Sequence, residues 1–189
     1  THATLIEPQN PDIYAIIGST YVQTGDTMDA VMYLDRALEL DPRNARSYYF
    51  RGVVSMDESN YSAAIADFSR AIEVDPAYLD PYYDRGLTYV RQGDYSQAIS
   101  DFNQALAINA DFRLAYLSRG GVYQLSGDFQ AAARDFMEYV RRNQSQQIAG
   151  QPLLPNVPVT LQMNTGLVYT LPLDVQPGQT ITITASSPQ

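Results

Sequence analysis

The chain has no cysteine and no lysine, and its one histidine is His2. Without cysteine there is no disulfide, no thiol nucleophile and no thiolate metal site, a condition compatible with any compartment. A lone histidine leaves no material for a histidine-based triad or a His-rich metal site. All twelve basic residues are arginine, against twenty-one acidic ones, for a net charge of −9. An acidic chain without a basic stripe does not suit nucleic acid or an anionic membrane surface. No apolar run approaches the length of a membrane span, and the first residues do not read as a signal peptide. The acidic neighbours Asp57 with Glu58, and Glu73 with Asp75, fall at turns or solvent-facing flanks and read as solvated helix ends. No catalytic constellation emerges, no cofactor or metal is implied, and the expectation is that the chain is not an enzyme.

What is present is a period. Gly18, Gly52, Gly86 and Gly120 stand 34 residues apart, which marks an array of one repeated unit. A tyrosine precedes each glycine by four residues (Tyr14, Tyr48, Tyr82, Tyr116), and an alanine follows it by twelve (Ala30, Ala64, Ala98, Ala132). Leu34, Phe68, Phe102 and Phe136 follow at sixteen, and Ala37, Ala71 and Ala105 at nineteen, where the fourth unit has Tyr139. Apolar positions recurring at three- and four-residue steps on both sides of a break predict two amphipathic helices per unit. The break is Gly25, Ser59, Gly93 or Gly127, followed by Asp26, Asn60, Asp94 or Asp128. Glycine tolerates the left-handed conformation that ends a helix, and Asp or Asn caps the next. A glycine inside a helix costs roughly 1 kcal/mol relative to alanine. Four at one helical address therefore predict a close crossing of the two helices, each glycine facing the alanine column.

The strings YYDRGLTYVRQGDYSQAISDFNQALAIN and YYFRGVVSMDESNYSAAIADFSRAIEVDP resemble tetratricopeptide repeats of the kind with Arg-Gly in the first helix and Asp-Phe in the second. The resemblance covers residues 10–143, as units 10–43, 44–77, 78–111 and 112–143. It implies a mainly α fold, a right-handed α-solenoid of helix-turn-helix repeats, and a scaffold that binds proteins through its concave face. Enzymatic activity is not implied.

Comparing the units with one another adds a pairing. Arg51, Arg85 and Arg119 each precede Asp67, Asp101 and Asp135 by sixteen residues, and the first unit has Ile17 and Tyr33 at these places. Both partners change together, so the simplest reading is an Arg-carboxylate contact between the two helices of a unit. We read these columns as structural, since each arginine has its own carboxylate.

The flanks differ. Ala3 and Pro8 stand 34 before Ala37 and Pro42, so residues 1–9 read as the remnant of a preceding repeat. Arg141 and Arg142 suit a helix C-terminus. Residues 144–158 read as a linker, with amides punctuated by Gly150, Pro152, Pro155 and Pro158. In 159–189 the period becomes two, predicting short strands around 157–163, 169–175 and 180–184, with Pro158 and Pro172 arguing for edge positions. This β-rich tail is similar to the opening strands of bacterial β-sandwich modules of the pre-peptidase C-terminal type. It reads equally as a cap on the last repeat. The resemblance favours an extracytoplasmic location.

In the resembling family one stripe of each first helix lines the groove. Here that stripe carries Asp12, Ala15 and Ser19; Arg46, Tyr49, Val53 and Met56; Asp80, Tyr83, Leu87 and Val90; and Leu114, Leu117 and Gly121. The lysines and asparagines of a dicarboxylate clamp are missing, which disfavours an acidic chaperone tail. Tyrosines and aliphatic residues suit an extended or helical peptide with apolar anchors. Tyr49 and Tyr83 are read as groove residues rather than packing on neighbouring helices, and Asp80, before Pro81, as a helix N-cap. The expected partner is a protein or peptide, and apolar array ends leave homo-association open. The alternative is an accessory segment of a larger secreted or surface enzyme.

Overall fold

A computed structural model of the chain describes residues 9–147, 159–162, 168–171 and 185–186. Residues 1–8, read above as a repeat remnant, lie outside the described residues, as do most of 148–189. Two compact units divide at residue 143/144.

The first unit is a succession of helix pairs: α1 (Pro11–Thr24) with α2 (Thr27–Leu40), α3 (Ala45–Asp57) with α4 (Tyr61–Val74), α5 (Leu79–Gln92) with α6 (Tyr95–Ile108), and α7 (Arg113–Leu125) with α8 (Phe129–Gln147). Helix α8 continues through the amide run to Gln147, beyond the position 143 where the sequence pattern ends it. Asn and Gln are acceptable in a helix interior when nothing breaks it, and the first breaker is Gly150.

Turn chemistry sets the boundaries inside each pair. Gly25, Gly93 and Gly127 adopt φ of 83°, 79° and 85°, and Ser59 adopts 61°. Asp26, Asn60, Asp94 and Asp128 then accept the backbone N–H three residues on, from Asp29, Ala63, Gln97 and Ala131. Between pairs, Asn10 and Asn44 cap α1 and α3 by accepting from the amides of Asp12 and Ser47. Helices α5 and α7 begin after Tyr78 and Phe112, neither of which makes a side-chain cap. Asp80 is therefore not the N-cap the sequence suggested. It lies inside the first turn of α5, where a carboxylate still complements the helix dipole.

The first three pairs close over fully buried side chains: Ala30, Leu34 and Ala37; Ala64, Phe68 and Ala71; Ala98, Phe102 and Ala105. The glycines do cross closely, but against a different column. A Cβ at Gly52, Gly86 or Gly120 would stand 2.7–2.8 Å from Cε1 of Phe68, Phe102 or Phe136, and one at Gly18 would stand 2.7 Å from Cγ of Leu34. Among the atoms nearest to these positions, alanine is represented by the Ala30 carbonyl at Gly18. One side of each ring, through Cε1 and Cδ1, lies against the bare backbone of the first helix, in space a side chain there would occupy.

The arginines join helices. Nε and Nη2 of Arg51, Arg85 and Arg119 donate to both carboxylate oxygens of Asp67, Asp101 and Asp135 at 2.7–2.8 Å. Nη1 of each reaches the second helix of the preceding pair, at Asp35, Ser69 and Asn103. Each guanidinium also lies 5.6–5.9 Å from the ring of Tyr48, Tyr82 or Tyr116. In the first pair Tyr33, in place of the Asp, stacks on Tyr21 at 5.5 Å and approaches Tyr14 at 6.3 Å.

Successive first helices α1, α3, α5 and α7 touch one another, whereas α2, α4 and α6 do not. The layer of first helices is the tighter one, so the array curves toward it. The first helices form the inner face of an α-solenoid.

The second unit contains three antiparallel strands, β1 (Val159–Gln162), β2 (Val168–Leu171) and β3 (Ala185–Ser186), in the order β1-β2-β3. Val159 pairs with Leu171, Leu161 with Tyr169, and Tyr169 with Ala185. The strand expected at 180–184 lies outside the described residues. Among the described strands β2 is central, paired with β1 on one side and β3 on the other, and Pro172 lies outside the described residues.

Gly86→Leu should lower unfolding free energy by about 1–3 kcal/mol by overpacking Phe102. Gly121→Ala, with nothing within 4 Å of the new methyl, should raise it by up to about 1 kcal/mol through helix propensity. Urea midpoints of the two variants check the pair of signs. Arg85→Ile alone should cost about 3 kcal/mol by stranding Asp101, 5% exposed at its side chain, while Arg85→Ile with Asp101→Tyr, the first pair's own solution, should recover most of that loss in the same melts.

Candidate functional site

The inner face begins with the second residue of each first helix: Asp12, Arg46, Asp80 and Leu114, all exposed. Asp12 accepts from Asn44 Nδ2 at 3.3 Å. Arg46 lies 5.5 Å from the ring of Phe50 and donates through Nη2 to Ser19 Oγ at 3.2 Å. Between these repeats the face opens into a recess of about 550 Å³ whose walls include Asp12, Asn44, Arg46, Phe50, Asp75 and Tyr78. Further along, Leu114 and Leu117 are 49% and 39% exposed.

One helical turn in, the face serves the fold. Tyr49 donates to Asp84 Oδ2 at 2.9 Å, and its ring contacts Tyr78 at 5.2 Å and Phe68 at 6.0 Å. Tyr83 repeats this one unit on: its hydroxyl is 3.0 Å from Ser118 Oγ, and its ring lies 4.9 Å from Phe112 and 5.7 Å from Phe102. Both tyrosines are partly buried and make contacts to the neighbouring repeat, the packing that the sequence reading set aside in favour of the groove. The aromatic residue at the start of the next helix supplies the platform, so the lost N-cap is offset by ring packing. Leu87 and Val90 likewise pack against Ala98, Phe102 and Val122. Val53 and Met56 are partly buried, and Ala15 and Ser19 are buried. Of the residues of the stripe, Asp12, Arg46, Asp80, Leu114 and Leu117 are exposed.

Asp84 was missed in the sequence, and a signal for it existed. It stands 35 residues after Tyr49, as Ser118 stands 35 after Tyr83. Burial pushes its carboxyl up to about 6, with Asp80 and Asp57 adding repulsion and the Tyr49 hydrogen bond opposing the rise. Burial, then the charge of Asp84, raises the Tyr49 phenol as well. Asp80 is also raised by burial. The middle of the inner face is thus an acidic zone in which a phenol and a carboxylate hold two repeats together.

Among the described residues, no group of three or more His, Cys, Asp or Glu could hold a metal ion, and no helix is long and apolar enough to cross a membrane.

Residues 17–78 and 51–118 each match a tetratricopeptide-repeat profile. No match was found among curated proteins. Among solved structures, the crystal structure of MamA is similar at 28% identity, with 78% of this chain and 86% of that one covered and a TM-score of 0.72. YrrB, described as "a TPR protein with an unusual peptide-binding site", shares the fold at 21% identity, covering 79% and 77% of the two chains with a TM-score of 0.69. The Arabidopsis OM64 TPR domain shares it at 20% identity, over 60% of this chain and 94% of that one, with a TM-score of 0.58.

A carboxyl raised to about 6 in the folded state, against 3.8 in its absence, opposes folding once ionised. The contribution of Asp84 to stability therefore falls as pH rises from about 4 through 6. Asp84→Asn should remove that slope and stabilise the array at pH 7 by on the order of 1–2 kcal/mol, with no gain at pH 4. Thermal melts of both proteins across this range give the comparison.

Proposed function

The chain belongs to the tetratricopeptide-repeat family, and from that premise we propose that it is a non-catalytic scaffold holding a segment of a partner protein against the inner face of its first helices. The observation that supports this reading most is the contrast between two sets of side chains on that face. Tyr49, Tyr83 and Leu87 are occupied by junctions or core. Asp12, Arg46, Asp80, Leu114 and Leu117, at the opening of the same helices, are exposed on a frame that needs no rearrangement to receive a ligand. A preorganised surface of this kind avoids the ordering cost that weakens flexible binders. The fold's use for peptide binding in YrrB is a precedent for the architecture; the ligand of this chain follows from its own face.

Affinity capture from an extract of the source organism tests the reading, with the double variant Leu114→Asp, Leu117→Asp as the control. Both leucines are exposed, so the variant should keep the wild-type circular dichroism. Capture of the partner should fall by about tenfold or more, as expected for loss of apolar anchors. Equal capture by both proteins would place the partner off the inner face.

A further inference from the structure

Four residues occupy one helical address in successive repeats: Asp12, Arg46, Asp80 and Leu114, each the second residue of its helix and each 34 from the next. All four are exposed. Their order is acidic, basic, acidic, apolar. Charges of opposite sign on neighbouring helices would ordinarily neutralise one another, yet among the described residues none of the three takes part in an ion pair. The hydrogen-bond partners of their side chains are neutral: Asn44 for Asp12 and Ser19 for Arg46. The guanidinium of Arg46 lies 5.5 Å from the Phe50 ring, and among the described residues Ser19 Oγ is the one acceptor it reaches. This differs from Arg51, Arg85 and Arg119, each of which has its own carboxylate.

The spacing turns this row into a ruler. Successive first helices touch, and helices in contact lie about 8–10 Å apart. A chain in the polyproline II conformation advances about 3.1 Å per residue with three residues per turn, so every third side chain faces the same way and successive ones meet the row at steps of about 9 Å. The geometry points to a partner segment in the polyproline II conformation that carries basic, acidic, basic and apolar side chains in that order, at three-residue steps, facing Asp12, Arg46, Asp80 and Leu114. The recess of about 550 Å³ beside Asp12 and Arg46 gives the first two of these side chains room to enter. This inference rests on the scaffold reading and specifies the ligand chemistry of the same face. Exposed ion pairs are individually weak, so the row sets order and register, while Leu114 supplies apolar contact.

The test uses synthetic peptides about ten residues long, labelled for fluorescence anisotropy. One has the pattern Lys-x-x-Glu-x-x-Lys-x-x-Leu, with its reversal to cover both chain directions. A second inverts the charges to Glu-x-x-Lys-x-x-Glu-x-x-Leu, and a third replaces them by glutamine. The full chain should bind the first pattern, in one direction, about tenfold more tightly than its charge inversion at low salt, and the difference should shrink as salt is added. The triple variant Asp12→Lys, Arg46→Glu, Asp80→Lys should prefer the inverted peptide by a similar factor. Binding of all patterns within twofold of one another, or a preference that the triple variant leaves unchanged, would overturn the row. If no peptide binds while capture of the natural partner still depends on Leu114 and Leu117, the charge row falls and the scaffold reading stands. If that capture is also indifferent to the leucines, both fall.

Discussion

A guanidinium that serves three helices at once is the constraint on which the rest of the array depends. In three of the four repeats two of its nitrogens clamp both oxygens of a carboxylate on the partner helix, and a third reaches back to the repeat before. Pair closure and repeat stacking are therefore set by the same side chain. The bidentate fork fixes an orientation as well as a distance, which lysine, a flexible point charge, could not do. With that geometry held, the glycine backbone meets its phenylalanine ring, and the first helices are brought into contact with each other.

The junctions between repeats use a second, softer chemistry that changes along the chain. Between the first and second repeats it is polar, with Asn44 reaching Asp12 and Arg46 reaching Ser19. At the next two junctions a tyrosine ring meets, tilted or edge-on, an aromatic residue that stands where the first two repeats have a capping asparagine, and its hydroxyl finds a hydrogen-bond partner 35 residues on. The face that would receive a ligand is thereby divided by depth. Its inner rows are engaged in cohesion, while its outer row, at the helix starts, stays exposed.

Features encoded by short fixed offsets were legible in the sequence. The 34-residue period and the left-handed turns with their caps rest on residues whose relation recurs in all four copies, and the Arg–Asp columns on one that recurs in three. The exchange of Arg51 and Asp67 for Ile17 and Tyr33 reported a contact before any coordinates were at hand, and Tyr33 does sit among rings. What could not be read was direction. Which column a helical glycine faces depends on the crossing of two helices, so the alanines and the phenylalanines, four residues apart on one helix, were equally eligible. Tyr49 and Tyr83 stand where a groove residue would stand, and only the ring 29 residues later shows that they are engaged. The tail offered period-two alternation without an opposing surface to fix strand limits, and its described ladder is shorter than the alternation suggested.

Three of the four internal turns pass through the left-handed region on glycine, and the second does so on Ser59. A side chain in that conformation costs roughly 1–2 kcal/mol that glycine does not. In a linear array each repeat has its own local stability, linked to its neighbours by their interfaces. Such an array would ordinarily fray from its termini, yet here a small conformational debt is lodged one repeat inside, in the α3–α4 hairpin. That seam is also next to the recess and carries Arg46 and Phe50 on its first helix. Breathing of the hairpin would alter the width of the opening between the first two repeats, and it would work against the Arg51–Asp67 clamp that closes this same pair.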